Sequence, residues 1–320
     1  MTSDVATVAI LVNNGRPEAV ALASETSAWL TAEGHRVRVL RLPETEGGAS
    51  AGANGELTPA TVAGADVAVS LGGDGTFLRL APLAYTSRTP VFGVNFGRVG
   101  HLLEVDPLRL SEVLRRAVTG NVEVENRSVL AVTVSGGLAP AAGDDRSLRE
   151  AEVPGEGGRW WMALNEVVVE KTVPGHMVHL TTTFDGEPGP TYRADGVLVS
   201  TPTGSTGYNL SAGGPVMAPE MRSMIVTPVA PHFSIDRSVV LNADRTVTIA
   251  VTAARPAVMV VDGREVGRLD PGAQVRCRIA PSALRVITVG DRRLGSVLRR
   301  ILSPGPVETG LRTSTVRQQG

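Results

Sequence analysis

One cysteine, Cys277, and one lysine, Lys171, stand among the 320 residues of the chain. A lone cysteine excludes an intramolecular disulfide framework and every multi-cysteine zinc or iron–sulfur site, and it suits a reducing compartment. The lone lysine sits in the run VVVEKTVPG, so the glycine-rich phosphate loop that ends in Gly-Lys-Ser/Thr is absent, as are the H-R-D and D-F-G signatures of protein kinases. The other positive side chains are arginines, which are always charged and grip planar oxyanions bidentately. A formal net charge of -1 leaves no global basic surplus to drive binding to nucleic acid or to an anionic membrane. No apolar run reaches the ~18 residues of a membrane-crossing helix. The first apolar run follows Asp4 and ends in Asn13 and Asn14, which reads as a strand entering a turn and not as a signal peptide. A soluble cytoplasmic protein is expected. Hydrophobic residues make up 42% of the chain and charged residues 20%, enough for a sizeable core in one large or two ordinary domains.

The pattern along the chain divides near residue 120. Residues 5–12 read as a buried strand and 17–33 as a helix whose inward face is Val20, Ala23, Ser27 and Leu30. Gly34 then stops the helix before a strand at 35–40. A Gly/Ala/Glu-rich loop is expected at 43–58. Beyond it come a strand at 66–71, a glycine turn, a helix at 76–84, a strand at 90–94 and a helix at 107–118, with Pro107 suited to its first turn. This alternation predicts an α/β unit with a mostly parallel sheet. From about 122 to 290 the apolar segments are short and separated by Gly, Pro, Asn and Asp: 129–134, 162–169, 177–184, 196–201, 224–229, 238–241, 246–251, 257–262 and 274–279. They predict an all-β second unit. Residues 136–158 read as a disordered loop, 291–302 as a helix unlike its surroundings, and 303–320 as a frayed tail.

Four runs carry chemistry. The first, LGGDGTFLR, follows a strand and opens a helix, where glycines let backbone N–H groups approach phosphate oxygens and the helix N-terminus favours negative charge. Asp74 within it either caps the helix or takes part in a proton transfer or metal binding. The second, Asn95-Phe96-Gly97-Arg98-Val99-Gly100-His101-Leu102, is either a second wall of an anion site or a plain turn. The third is Asn165-Glu166 inside the apolar run MALNEVVVE. Both side chains suit a ribose diol, although by themselves they read as an edge or a β-bulge facing water. The fourth, GVLVSTPTGSTGYNLSAGGPVMAP over 196–219, holds no charged residue. Its small and hydroxyl-bearing middle suits close wrapping of an adenine or ribose, with Tyr208 as a flat surface. Two other features take bland readings. His176 and His179, three apart in a strand, point to opposite faces and make no metal pair, and His232 reads as structural.

Taken in order, LGGDGTFLR, VNFGRVGHLLE, ALNEVVVEK, YRADGVLVSTPTGSTGYNLSAGGP and TPVAPH resemble the NAD kinase family, over about residues 70–232. The GGDG element by itself is shared with lipid kinases and, in similar form, with phosphofructokinases. Its combination with NE and TPTGSTGY is specific. The resemblance implies a two-domain NAD kinase-like fold: an α/β N-terminal domain over 1–120, followed by an all-β, sandwich-like C-terminal domain over 121–290. Residues 291–302 would return to the first domain, and 303–320 would be a disordered tail. The implied reaction is phosphorylation of the 2′-hydroxyl of the adenosine ribose of NAD, giving NADP. ATP or polyphosphate is the implied donor and a divalent metal ion, magnesium, the implied cofactor, with no metal ligands assigned.

Residue by residue, Asp74 matches the proton acceptor. Gly75 and Arg79 lie beside it, and the backbone N–H groups of Gly72, Gly73, Gly75 and Thr76 would cradle phosphate. Asn165 and Glu166 match the ribose-binding pair, and His176, Arg193 and Asp195 match further dinucleotide contacts. Thr206, Gly207, Tyr208, Asn209, Leu210 and Ser211 match the adenosine-binding turn, and Arg264 falls near a late contact. Gly207 stands where the family usually has Ala, Phe96 where it has Leu, and His101 where it has Phe. The partners implied are NAD, ATP and further copies of the chain in a homodimer or homotetramer, with no nucleic acid and no membrane. A lipid kinase with the same GGDG element and a non-catalytic dinucleotide sensor are the competing readings. Asp74 argues against the sensor, because a carboxylate hinders mere binding of an anionic ligand.

Overall fold

Strand and helix alternate through the first part of the chain in the computed structural model, which describes residues 5–42, 57–96, 102–103, 105–141, 160–232, 236–252 and 254–289. Most of the loops read at 43–58 and 136–158, together with Gly97, Arg98, Gly100, His101, the helix read at 291–302 and the tail at 303–320, lie outside the described residues. β1 (Thr7–Asn13) leads through α1 (Pro17–Ala32) to β2 (Arg36–Leu42), α2 (Pro59–Val62), β3 (Val67–Gly72), α3 (Asp74–Ser87) and β4 (Val91–Asn95). A 3-10 turn then precedes α4 (Leu110–Val118) and β5 (Glu123–Arg127). The following strands are β6 (Leu130–Ser135), β7 (Leu138–Pro140), β8 (Trp160–Ala163), β9 (Glu166–Lys171), β10 (Val178–Phe184), β11 (Glu187–Ala194) and β12 (Gly196–Ser200). After a short α5 (Tyr208–Ser211) come β13 (Ser223–Val229), β14 (Val239–Asn242), β15 (Thr246–Val251), β16 (Ala257–Val261), β17 (Arg264–Leu269), β18 (Gln274–Ile279) and β19 (Leu284–Thr288).

The first sheet has the order β2-β1-β3-β4-β19-β5, parallel through β19 and closed by antiparallel β5. Its central strands are apolar on both faces, as parallel strands covered on both sides must be. Val8, Ile10, Val12, Val67, Val69 and Leu71 meet α1 and α4, while Ala9, Leu11 and Ala68 meet α3 on the other face. The face of α1 turned inward is Ala19, Ala23, Thr26 and Leu30. It lies one residue back from the Val20 and Ser27 expected, and its small side chains at Ala19 and Ala23 let the helix sit close to the sheet. β5 and β19 come from the stretch read as all-β, and β19 brings the chain back to the first sheet.

The remaining strands form two antiparallel sheets, β11-β10-β15-β18-β6-β8 and β14-β13-β12-β9-β16-β17-β7. Alternate residues of each point inward, so Val132, Leu180, Val247 and Val275 of one meet Val167, Val199 and Met259 of the other in a shared core. The fold is thus an α/β domain followed by a β-sandwich.

One strand read as continuous is broken. Residues 162–169 divide into β8, in the first sandwich sheet, and β9, in the second, with Leu164 and Asn165 at the corner between them. β8 is buried on both faces. Trp161 and Ala163 enter the sandwich core, whereas Trp160 and Met162 join the cluster of α3, where Trp160 meets Tyr85 edge-on at 5.9 Å. Leu164 packs into the same cluster as Phe77 and Leu80. That packing ties the Asn165 corner to the helix that begins at Asp74.

Candidate active site

The first wall is the turn from β3 into α3. Gly72 ends β3 and is pressed against Thr76: a Cβ added there would lie 2.8 Å from the Thr76 Cβ. Thr76 is itself buried and its N–H donates to the Gly73 carbonyl at 2.9 Å, so it serves the turn. Gly73, the N-cap, and Gly75 have open space where a side chain would stand. That space admits a phosphate oxygen to the backbone N–H groups that a helix start leaves unpaired. Asp74 is the first residue of α3, half-buried, with Oδ1 out of contact with solvent. Arg79 lies one turn along from Gly75 on the same helix. The Gly72 carbonyl accepts from the Phe96 N–H at 2.9 Å, and the Phe96 carbonyl accepts from Arg16 Nη1 at 3.0 Å. Arg16, absent from the sequence reading, therefore stands at the carboxyl edge of the parallel sheet beside the glycine turn. This is where open α/β sheets bind ligands.

The second wall is the Asn165 corner. Glu166 is buried, not turned to water as the two residues read alone had suggested, and neither Asn165 Oδ1 nor Glu166 Oε2 has a hydrogen-bond partner. Burial pushes the Glu166 carboxyl up to about 8, with a smaller contribution from the Asp262 carboxylate. Glu166 is thus largely protonated at neutral pH, able to donate as well as accept. Unpaired buried polar atoms are costly.

The third wall is the hydroxyl-rich turn after β12, and most of its hydroxyls are committed within the protein. Thr201 Oγ1 donates to the Leu164 carbonyl at 2.5 Å and accepts from the Gly204 N–H at 3.0 Å. Ser205 Oγ donates to the Pro202 carbonyl at 2.7 Å and accepts from the Met217 N–H at 2.9 Å. Thr206 Oγ1 donates to the Thr203 carbonyl at 3.4 Å. Asn209 is fully buried: Nδ2 donates to the Ser205 and Pro215 carbonyls at 3.0 Å, and Oδ1 accepts from Thr227 at 2.7 Å. Its side chain belongs to the turn. Gly207 faces the second wall, where an added Cβ would lie 3.3 Å from Glu166 Oε2 and 3.9 Å from Asn165 Nδ2. Tyr208 and Ser211 are exposed and Leu210 partly so. Burial, and then the carboxylates of Glu170, Asp195 and Glu166, raise the Tyr208 phenol.

Four further candidates from the sequence stand among the described residues. Asp195 is held by Lys171 at 2.6 Å. Arg193 is exposed on β11, its carbonyl accepting from the His232 N–H at 2.7 Å. His176 is exposed and lines an open groove with Lys171, Arg255 and Arg268, a lining that includes neither Asn165 nor Glu166. Arg264 opens β17, directly after the turn that touches the Asn165 corner. Among the described residues no three His, Cys, Asp or Glu side chains gather as a metal cage. A carboxylate such as Asp74 beside a phosphate cradle is a donor set that suits magnesium carried on nucleotide phosphates.

Two more residues, besides Arg16, escaped the sequence reading. Asp262 accepts from the backbone of the Asn165 corner, and Arg127 pairs with Glu125 at 2.7 Å while reaching Thr203 Oγ1 at 3.3 Å. The Asp-Gly pair between two apolar runs was a legible hairpin signal for the first. The second had none.

The chain as a whole has known relatives. Profiles of the ATP-NAD kinase N-terminal domain and of the ATP-NAD kinase C-terminal domain match residues 8–122 and 164–289. The chain belongs to the NAD kinase family. It is 34% identical to the NAD kinase of Heliobacterium modesticaldum over 93% of this chain and 99% of that protein. It is 38% identical to NAD kinase 1 of Streptomyces avermitilis over 70% and 68% of the two chains. Among solved structures, an NAD kinase from Archaeoglobus fulgidus in complex with ATP superposes with a TM-score of 0.69 and 25% identity, covering 93% of this chain and all of that one. The yeast NADH kinase complexed with NADH gives a TM-score of 0.76 at 20% identity, covering 99% and 90%, a likeness of fold alone.

Proposed function

We infer that the chain transfers the γ-phosphoryl group of ATP to the 2′-hydroxyl of the adenosine ribose of NAD, releasing NADP and ADP. The observation that carries this reading is the meeting of Glu166 Oε2, a buried acceptor without a partner, and the Asn165 side-chain amide, whose Oδ1 is also without a partner, at the turn around Gly207. Such a corner suits a ribose diol, whose hydroxyls donate to both oxygens. The glycine turn suits the donor phosphates, and Asp74 within it accepts the 2′-hydroxyl proton as the oxygen–phosphorus bond forms. Phosphoryl transfer otherwise needs positioning and charge neutralisation, for which the helix N-terminus and Arg79 are the groups at hand. Magnesium carried on the donor phosphates would supply further neutralisation.

Tyr208 offers its exposed ring to the adenine, while Arg193, Asp195, His176 and Arg264 contact the rest of the dinucleotide. In this reading residues 1–120 bind the donor and 121–290 the dinucleotide. The protein acts as a cytoplasmic homodimer or homotetramer, the sandwich having edge strands to pair. The test is NADP formation from NAD, ATP and magnesium, read through an NADP-specific dehydrogenase. Absence of NADP with every phosphoryl donor tried would overturn the reading.

A further inference from the structure

The hairpin between β16 and β17 has a two-residue loop, Asp262-Gly263, with φ of 47° and 75°. Two positive φ values mark a type I′ turn, which Asn-Gly satisfies as well as Asp-Gly. The turn conformation therefore does not call for a carboxylate. Hydrogen bonding does. Asp262 Oδ2 accepts from the Leu164 N–H at 2.8 Å, and Oδ1 accepts from the N–H groups of Asn165 at 2.8 Å and Glu166 at 3.1 Å. The Asp262 N–H in turn donates to the Glu166 carbonyl at 3.0 Å. Three successive amides at a corner where the chain leaves one sheet for another have no ladder to join, and a carboxylate, an acceptor at both oxygens, satisfies all three.

We propose that Asp262 is a positioning residue of the acceptor site, which fixes the backbone of Leu164, Asn165 and Glu166 so that the Asn165 and Glu166 side chains stand ready for the ribose hydroxyls. Asp262 itself touches no substrate. Its effect passes through the pair, and the proposal rests on the reading that this pair holds the ribose. A corner deprived of the clamp still folds as a hairpin, but its two side chains must be ordered by the ligand, and that ordering cost falls on NAD binding.

Asp262→Asn separates turn from clamp, because Asn keeps the type I′ conformation while its NH2 faces a backbone donor. Asp262→Glu keeps the charge and displaces it. Both are measured beside the wild-type protein and Asn165→Ala, by steady-state kinetics in NAD and ATP separately and by thermal unfolding. In the folded variants KM for NAD should rise about tenfold or more, with kcat and KM for ATP within about threefold. Adding Asn165→Ala to Asp262→Asn should cost less than it does in the wild type, the mark of two residues acting as one unit. The proposal is overturned by an unchanged KM for NAD in a folded variant, by additive effects, or by NAD and ATP parameters that fall together. Loss of folded protein in both variants would assign Asp262 to the fold alone and would overturn it equally. If Asn165→Ala leaves KM for NAD unchanged, the reading of the pair fails instead.

Discussion

Gly204 lies against the backbone of Asn165 so closely that a Cβ added to it would stand 2.5 Å from the Asn165 Cα. No flexible side chain is available to move aside. Gly204→Ala must therefore shift the corner or the turn, and overpacking of this kind costs about 1–3 kcal/mol. A lower melting temperature together with a raised KM for NAD is expected. A variant that melts with the wild type would contradict the contact.

Gly75 gives the opposite outcome. It lies in the first turn of α3 with open space around it. Gly75→Ala should leave the melting temperature level or raise it, since Ala in a helix is favoured over Gly by up to about 1 kcal/mol. If phosphate oxygens approach this backbone, the methyl intrudes and kcat/KM for ATP falls about tenfold or more. Unaltered kinetics would remove Gly75 from the phosphate cradle.

Asp74→Asn keeps the shape and hydrogen-bonding reach of the side chain while removing the proton acceptor. Turnover should fall by about 10²–10⁴-fold with KM for NAD little changed. Turnover within a few-fold of wild type would defeat the role of Asp74 as base, and rescue by raised magnesium would assign it to metal binding.

Glu166 makes stability depend on pH. Its folded value, about 8, lies above the ordinary 4.5. The contribution is fully present below about 4.5, where folded and unfolded chains are both protonated, and is lost as pH rises through 8. Asp262, raised to about 6 by burial against the opposing pull of three N–H groups, acts in the same direction over a lower window. The wild-type melting temperature should fall between about pH 5 and 8.5, and Glu166→Gln should flatten part of that slope. Parallel curves for the two proteins would show that Glu166 titrates normally.

Much of this protein was legible without coordinates. The alternating strands and helices of the first part and the short β segments of the second follow from local periodicity, which fixes which face of an element is apolar. The order of GGDG, NE and TPTGSTGY carried the resemblance to the family, to which the two domain profiles assign the chain. Tertiary structure alone decided what each polar residue touches. Asn165-Glu166 read as an exposed bulge when taken alone, because nothing local reveals that β8 and β9 belong to different sheets. The hydroxyls of Ser205 and Thr206 lie in the run read as wrapping the ligand, yet they bond within the turn, since a hydroxyl serves backbone and ligand equally well. Asp262 stands 97 residues from Asn165 in the chain, and only the pairing of β9 with β16 brings its carboxylate to the amides it holds.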